Sequence, residues 1–190
     1  MFCKVATLVA FAAGISSVAS HALIDVPAPR KAGPAFEERC GAAVVKELEK
    51  DIAGPIENAM AKADSSYKCD AYLCRGYQYE DNTDNVQAYK AGDVVDFHVN
   101  LVAGHRPGYA NISVVDLAAN KIIGEPLIEW GYWPCNSKNP CDNDIDFNVT
   151  IPDSLASTCA EGGQCALQWY WIATDKPQTY ESCLDFTVSV

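Results

Sequence analysis

The sequence predicts a mainly β protein: an immunoglobulin/fibronectin-like antiparallel β-sandwich with a short helical insertion near its N-terminus. Two observations predict the sandwich. From Gly92 onward apolar residues recur with a period of two, the spacing of strands with one buried face. Between those runs stand clusters of Gly, Asn, Asp and Pro, the residues that close turns. A third observation predicts the insertion. Between about Phe36 and Ala63 the apolar period lengthens to that of a helix.

In chain order, residues 1–20 read as a cleavable secretory leader. Lys4 supplies the positive start, Val5 to Ala13 the short apolar run, and Val18-Ala19-Ser20 the small-residue cleavage site. The run is too short to span a bilayer. Cleavage after Ser20 makes His21 the first residue of a single domain over 21–190. The segment HALIDVP then alternates briefly before the turn Pro27-Ala-Pro29. In the insertion, Cys40, Val44, Val45 and Leu48 fall near one helical face, and PIENAMAKA opens on a Pro suited to a first helical turn.

The strands follow. Val95, Phe97, Val99 and Leu101 alternate with Asp96, His98 and Asn100. Ile112 and Val114, and then Phe147, Val149 and Ile151, repeat the pattern. Leu167, Trp169 and Trp171 share a face, as do Leu184, Phe186, Val188 and Val190. Two glycosylation sequons, Asn111-Ile-Ser and Asn148-Val-Thr, fall on the outward phase of their strands, where a glycan would fit. Trp130, Tyr132 and Trp133 can be read as core rings or as a sugar-stacking surface.

Charge and cysteines restrict the function. Lys4 is the one charged residue before His21, so the mature chain carries 13 basic and 25 acidic side chains, a formal net of −12. Such a chain is a poor partner for nucleic acid or anionic membranes, which need Lys and Arg. Cys3 leaves with the leader. The eight remaining cysteines form an even set, which predicts disulfides in an oxidising compartment. Cys135 with Cys141, and Cys159 with Cys165, flank polar turns and can close local loops. Cys40, Cys69, Cys74 and Cys183 leave three pairings, with a bridge from the insertion to the last strand preferred. No apolar tail follows the final strand. The expectation is a secreted, extracellular monomer without a membrane anchor.

The chain has three histidines. His98 lies on the outward phase of its strand, between Asp96 and Asn100, and reads as a solvated surface residue. His105 sits in the turn Ala-Gly-His-Arg-Pro-Gly after that strand, where a rigid scaffold can present a site. His21, as a new N-terminus, joins a free α-amino group to an imidazole in one residue, which makes it a chelate. Gln178 and Tyr180, taken alone, read as a polar turn residue and a half-buried tyrosine. The acidic run from Cys141 to Asp146 lacks the Gly and the terminal Glu of a calcium-binding EF-hand loop and reads as a solvated loop.

Taken together, His21-Ala-Leu-Ile at the mature start, Gly104-His105-Arg-Pro-Gly-Tyr-Ala-Asn-Ile-Ser in the middle and Gln178-Thr-Tyr180-Glu-Ser-Cys183 near the end resemble the lytic polysaccharide monooxygenases. Those are secreted copper enzymes on an immunoglobulin-like sandwich, related to the chitin-binding type-4 proteins. The resemblance implies one copper ion held by the α-amino nitrogen and a ring nitrogen of His21 and by a ring nitrogen of His105. It implies Tyr180 on the axial side of the metal at longer range, and Gln178 hydrogen-bonding an oxygen species. An external electron donor and O2 or H2O2 would be co-substrates, and an insoluble polysaccharide surface of chitin or β-glucan type the partner.

Nitrogen ligands suit copper in both oxidation states, and an α-amine loses its proton readily enough to bind metal near neutral pH. A glycoside hydrolase is disfavoured, since no pair of carboxylates stands out. A non-catalytic glycan-binding protein and a secreted copper-binding protein are the alternatives on the same scaffold.

Overall fold

In the computed structural model, residues 20–189 are described; the predicted leader, apart from Ser20, lies outside them. Strand β1 (His21–Val26) opens the chain, followed by helices α1 (Pro34–Cys40), α2 (Ala42–Lys50) and α3 (Ile56–Met60). The helices therefore begin two residues before Phe36 and end three before Ala63. Pro34 sits in the first turn of α1, where its missing N–H costs nothing. Gly41, at φ 78°, ends α1 and starts α2. The apolar face of α2 is Val44, Val45 and Leu48, which pack with Phe36, Cys40 and Ala59 into a small core separate from that of the sandwich.

The strands β2 (Gln87–Lys90), β3 (Val94–Ala103), β4 (Gly108–Asp116), β5 (Lys121–Ile122), β6 (Ile128–Trp130), β7 (Asp146–Thr150), β8 (Cys165–Ala173) and β9 (Gln178–Ser189) complete the fold. One sheet has the order β1-β3-β7. The other runs β2-β9-β8-β4-β5, with β6 also on β4. The alternating residues of the sequence meet between the sheets: Val95, Phe97, Val99, Phe147, Val149, Ile112, Val114, Leu167, Trp169, Trp171, Leu184, Phe186 and Val188 form one cluster. The fold class is therefore as predicted. One pairing departs from the antiparallel pattern, since β2 runs parallel to β9. Parallel neighbours need a long connection, and here residues 91–177 supply it.

The eight cysteines of the described residues are all paired. Cys135–Cys141 and Cys159–Cys165 close local loops, Cys40–Cys69 staples α1 to the coil after the helices, and Cys74–Cys183 ties that coil to β9. The preferred bridge from the insertion to the last strand is not made: Cys40 of the insertion pairs with Cys69 and Cys183 of β9 with Cys74, both partners lying in the coil between them.

That coil corrects one expectation. The outward face of the larger sheet is covered: Cys74 N–H donates to the Gln168 side chain at 3.0 Å, and Arg75 N–H to the Glu181 carboxylate at 3.1 Å. The Arg30 guanidinium donates twice, at 2.6 Å, to Asp185 on the same face. Asn111 is buried as well, its amide bonded to the Tyr109 and Ser113 hydroxyls, so its outward phase does not expose it as a surface site for a glycan. Strand phase marks the outer face but does not reveal what lies on it. Asn148 is exposed on β7. All four tryptophans are buried, Trp130 and Trp133 included, and Trp133 packs edge-on against Trp169 and Trp171. These rings are core, and Tyr132 is half-buried beside them.

Candidate functional site

His21 is the first residue of β1 and pairs in register with Ala103, the last residue of β3. His105 stands two residues further on, in the turn that Gly108 closes. A side chain at Gly108 would meet Trp171 Nε1 at 2.6 Å and the Trp133 carbonyl at 2.7 Å, so only glycine fits between the turn and the core. Arg106 fastens the same turn by donating to the carbonyls of Pro134 and Cys135. Both histidines therefore lie at one end of the sandwich.

Ser20 joins them. It is fully buried; its hydroxyl donates to the Ala103 carbonyl at 2.9 Å and accepts the His105 backbone N–H at 3.1 Å. Its carbonyl, one bond from the His21 nitrogen, accepts the Tyr180 hydroxyl at 3.0 Å. The backbone nitrogen of His21 is thereby held between the His105 turn and the Tyr180 ring.

Tyr180 and Gln178 start β9. Tyr180 is buried and stacked on Trp171 at 4.2 Å between ring centroids. Its hydroxyl also reaches Gln178 Oε1 at 3.1 Å. Burial raises the hydroxyl well above the ordinary tyrosine value, so it is a neutral phenol. The four residues singled out in the sequence are brought to one end of the molecule. His98 is not among them. It projects from β3 toward Asp146 of β7, 2.6 Å away and exposed.

Each histidine of the site has a carboxylate against one ring nitrogen. His21 Nε2 lies 2.7 Å from Asp51 Oδ2, and His105 Nδ1 lies 3.4 Å from the Asp175 carboxylate. Metal-ligating histidines commonly use the ring nitrogen away from the metal in this way. The two imidazoles and the His21 backbone nitrogen, at the same end of the sandwich, are donors of the type a nitrogen-preferring metal such as copper takes. The cluster of Cys135, Cys141 and Asp144 also brings metal-ligand types together. Its two sulfurs are joined in a disulfide, which removes them as thiolate donors.

Sequence reasoning missed the residues of the insertion that frame this end. Asp51 follows α2. Glu57 of α3 accepts the Thr179 N–H at 2.8 Å, fixing the strand between Gln178 and Tyr180. Arg75 is buried with φ 59° and donates to the carbonyls of Gly54 and Asp51, each at 2.7 Å. Beside it Glu181 is buried, and desolvation pushes its carboxyl up to about 8. Asp175, three residues before Gln178, could have been flagged by that proximity. No spacing rule links Asp51 to His21.

A family model described as lytic polysaccharide mono-oxygenase, cellulose-degrading, matches residues 21–186. Among solved structures, an AA10 lytic polysaccharide monooxygenase from Streptomyces lividans is 14% identical, with a TM-score of 0.47, covering 88% of this chain and 99% of that one. A Bacillus amyloliquefaciens CBM33 protein in complex with Cu(I) is 12% identical, with a TM-score of 0.44, covering 89% of this chain and 100% of its own. A chitin-binding domain from Burkholderia pseudomallei is 11% identical, with a TM-score of 0.42, covering 90% and 100%. No curated protein matches the chain. Among the described residues, no helix is long and apolar enough to cross a membrane.

Proposed function

Since this chain belongs to the lytic polysaccharide mono-oxygenase family, matching its model over residues 21–186, we propose that its mature form is a secreted copper enzyme. It would cleave a cell-wall polysaccharide of chitin or β-glucan type oxidatively. The single observation that carries the reading is the meeting of the His21 backbone nitrogen, the His105 turn and the Tyr180 hydroxyl around Ser20.

Removal of the leader through Ser20 turns the His21 amide nitrogen into an amine. That amine and the Nδ1 of the same residue can close a six-membered ring on one metal ion, and His105 supplies the third nitrogen. Copper bound there supplies the one-electron chemistry by which O2 or H2O2, with an external reductant, attacks a sugar C–H bond. Tyr180, neutral and stacked on Trp171, walls the side toward the core. Its hydroxyl shares one proton between the Ser20 carbonyl and Gln178 Oε1. With Ser20 gone Gln178 Oε1 is the acceptor left to that proton, and the Gln178 amide N–H groups would be the donors to an oxygen species. The site lies at the end of the sandwich, as an insoluble, flat substrate requires.

The test is mass spectrometry of products from cellulose, chitin and other β-glucans, using protein with an authentic His21 N-terminus, copper and a reductant. Oxidised oligosaccharides are expected from at least one polymer. Tight copper binding without oxidised products from any polymer would instead favour a secreted copper-binding protein.

A further inference from the structure

The helical insertion approaches the site at one point, and the contact there is specific. Resting on the reading of His21 as a metal ligand, we infer that Asp51 is a positioning residue. It fixes the His21 ring so that Nδ1, and not Nε2, faces the metal. The chemistry of the chelate demands this choice. The atoms N, Cα, Cβ, Cγ and Nδ1 close a six-membered ring with a metal, whereas the Nε2 lone pair points away from the amine of its own residue. A neutral imidazole that ligates through Nδ1 must carry its proton on Nε2. That proton has an acceptor in Asp51 Oδ2 at 2.7 Å, within the range of a charge-assisted hydrogen bond.

Asp51 is held as firmly as the ring it holds. Its carbonyl accepts from Arg75 Nη2 at 2.7 Å and from the Gly54 N–H at 3.1 Å, and Arg75 Nη1 donates to the Gly54 carbonyl at 2.7 Å. One residue before Gly54, the Ala53 carbonyl accepts the Ala22 N–H at 3.1 Å, which docks this turn on β1 beside His21. Arg75 is itself buried next to Cys74, whose disulfide to Cys183 anchors it on β9.

Gly54 provides an independent sign that the carboxylate belongs where it is. A Cβ there would lie 2.2 Å from Asp51 Oδ2 and 2.4 Å from Asp51 Cγ. The glycine leaves room for the carboxylate alone, and a methyl group would push it off the ring. Asp175 does not match this arrangement, since it stands 3.4 Å from His105 in an open turn. At that distance a hydrogen bond is weak.

The experiment compares wild type, Asp51→Ala, Asp51→Asn, Gly54→Ala and Asp175→Asn, all with an authentic His21 N-terminus. Copper(II) affinity, the electron paramagnetic resonance spectrum and the melting temperature of the metal-free protein are measured. Imidazole 15N shifts of the metal-free protein report the tautomer. Wild type is expected to carry the His21 proton on Nε2. Asp51→Ala should mix the tautomers, change the copper spectrum and weaken copper by about 10- to 100-fold, the usual loss on removing such a partner.

Gly54→Ala should act in the same direction although the carboxylate is still present, Asp51→Asn should be intermediate and Asp175→Asn smaller. The melting temperatures of the Asp51 variants should hold, since Asp51 is partly exposed. Wild-type copper binding that Asp51→Ala leaves unchanged, in affinity and spectrum, overturns the positioning role. Failure of wild type itself to bind copper overturns the reading of His21 as a ligand, and with it the role given to Asp51.

Discussion

The three histidines differ by the carboxylate each one meets. His98 and Asp146 are cross-strand partners on the exposed face of β3 and β7, and the hydrogen bond to Asp146 raises the His98 pKa above its ordinary value. A raised histidine favours the folded state while it is protonated. Any contribution to stability is therefore present below the unfolded value, about 6.5, and fades as pH rises through the folded one. At so exposed a position it is small. The better measurement is a histidine NMR titration: Asp146→Asn should lower the His98 midpoint. An unmoved His98 midpoint would remove the pair as the cause. The outward phase of His98 was legible because a strand with one solvated face obeys a period of two. Asp51 was not legible. Its distance from His21 closes only when α2 and the following turn dock on β1, and no local pattern encodes that docking.

At the scale of elements, the strands were legible and the covering of the sheet was not. Every inward residue of β3, β7 and β8 follows from alternation, because burial between two sheets selects apolar side chains at every second position. The outer face of β9 broke the rule. Glu181, Cys183 and Asp185 are polar or cysteine by sequence, yet all are buried beneath Arg75, Cys74 and Arg30. A polar residue says only that it needs partners, and here protein supplies them in place of water.

The Cys74–Cys183 bridge holds this cover in place, and its worth can be compared with that of the local bridges. In the chain-entropy model a loop of 109 residues restricts the unfolded chain by about 4.7 kcal/mol, against about 2 kcal/mol for a loop of six. Replacing Cys74 and Cys183 by Ala should therefore lower unfolding free energy in urea roughly twice as much as replacing Cys135 and Cys141. Equal losses would mean that native packing, and not loop closure, decides the contribution.

For the whole molecule, the decisive variable is one peptide bond. With Ser20 present, its hydroxyl and carbonyl make three hydrogen bonds at the buried end of the sandwich, to the Ala103 carbonyl, the His105 N–H and the Tyr180 hydroxyl. Each is worth about 0.5–1.5 kcal/mol net, so cutting after Ser20 should destabilise the metal-free protein by a few kcal/mol. Copper can restore that much, since a ligand at 1,000 times its dissociation constant stabilises the native state by about 4.1 kcal/mol. Calorimetry of two forms, one beginning at His21 and one retaining Ser20, measures both effects. The His21 form should melt lower without metal and rise steeply with copper. The Ser20 form should start higher and respond little, because its His21 nitrogen is an amide and no longer a donor. The two forms share fold, charge pattern and both imidazoles, so a copper response of equal size in each would show that the amine takes no part. Unequal responses would assign the metal to the N-terminus itself, and would make leader removal the step that turns a folded sandwich into a metal site.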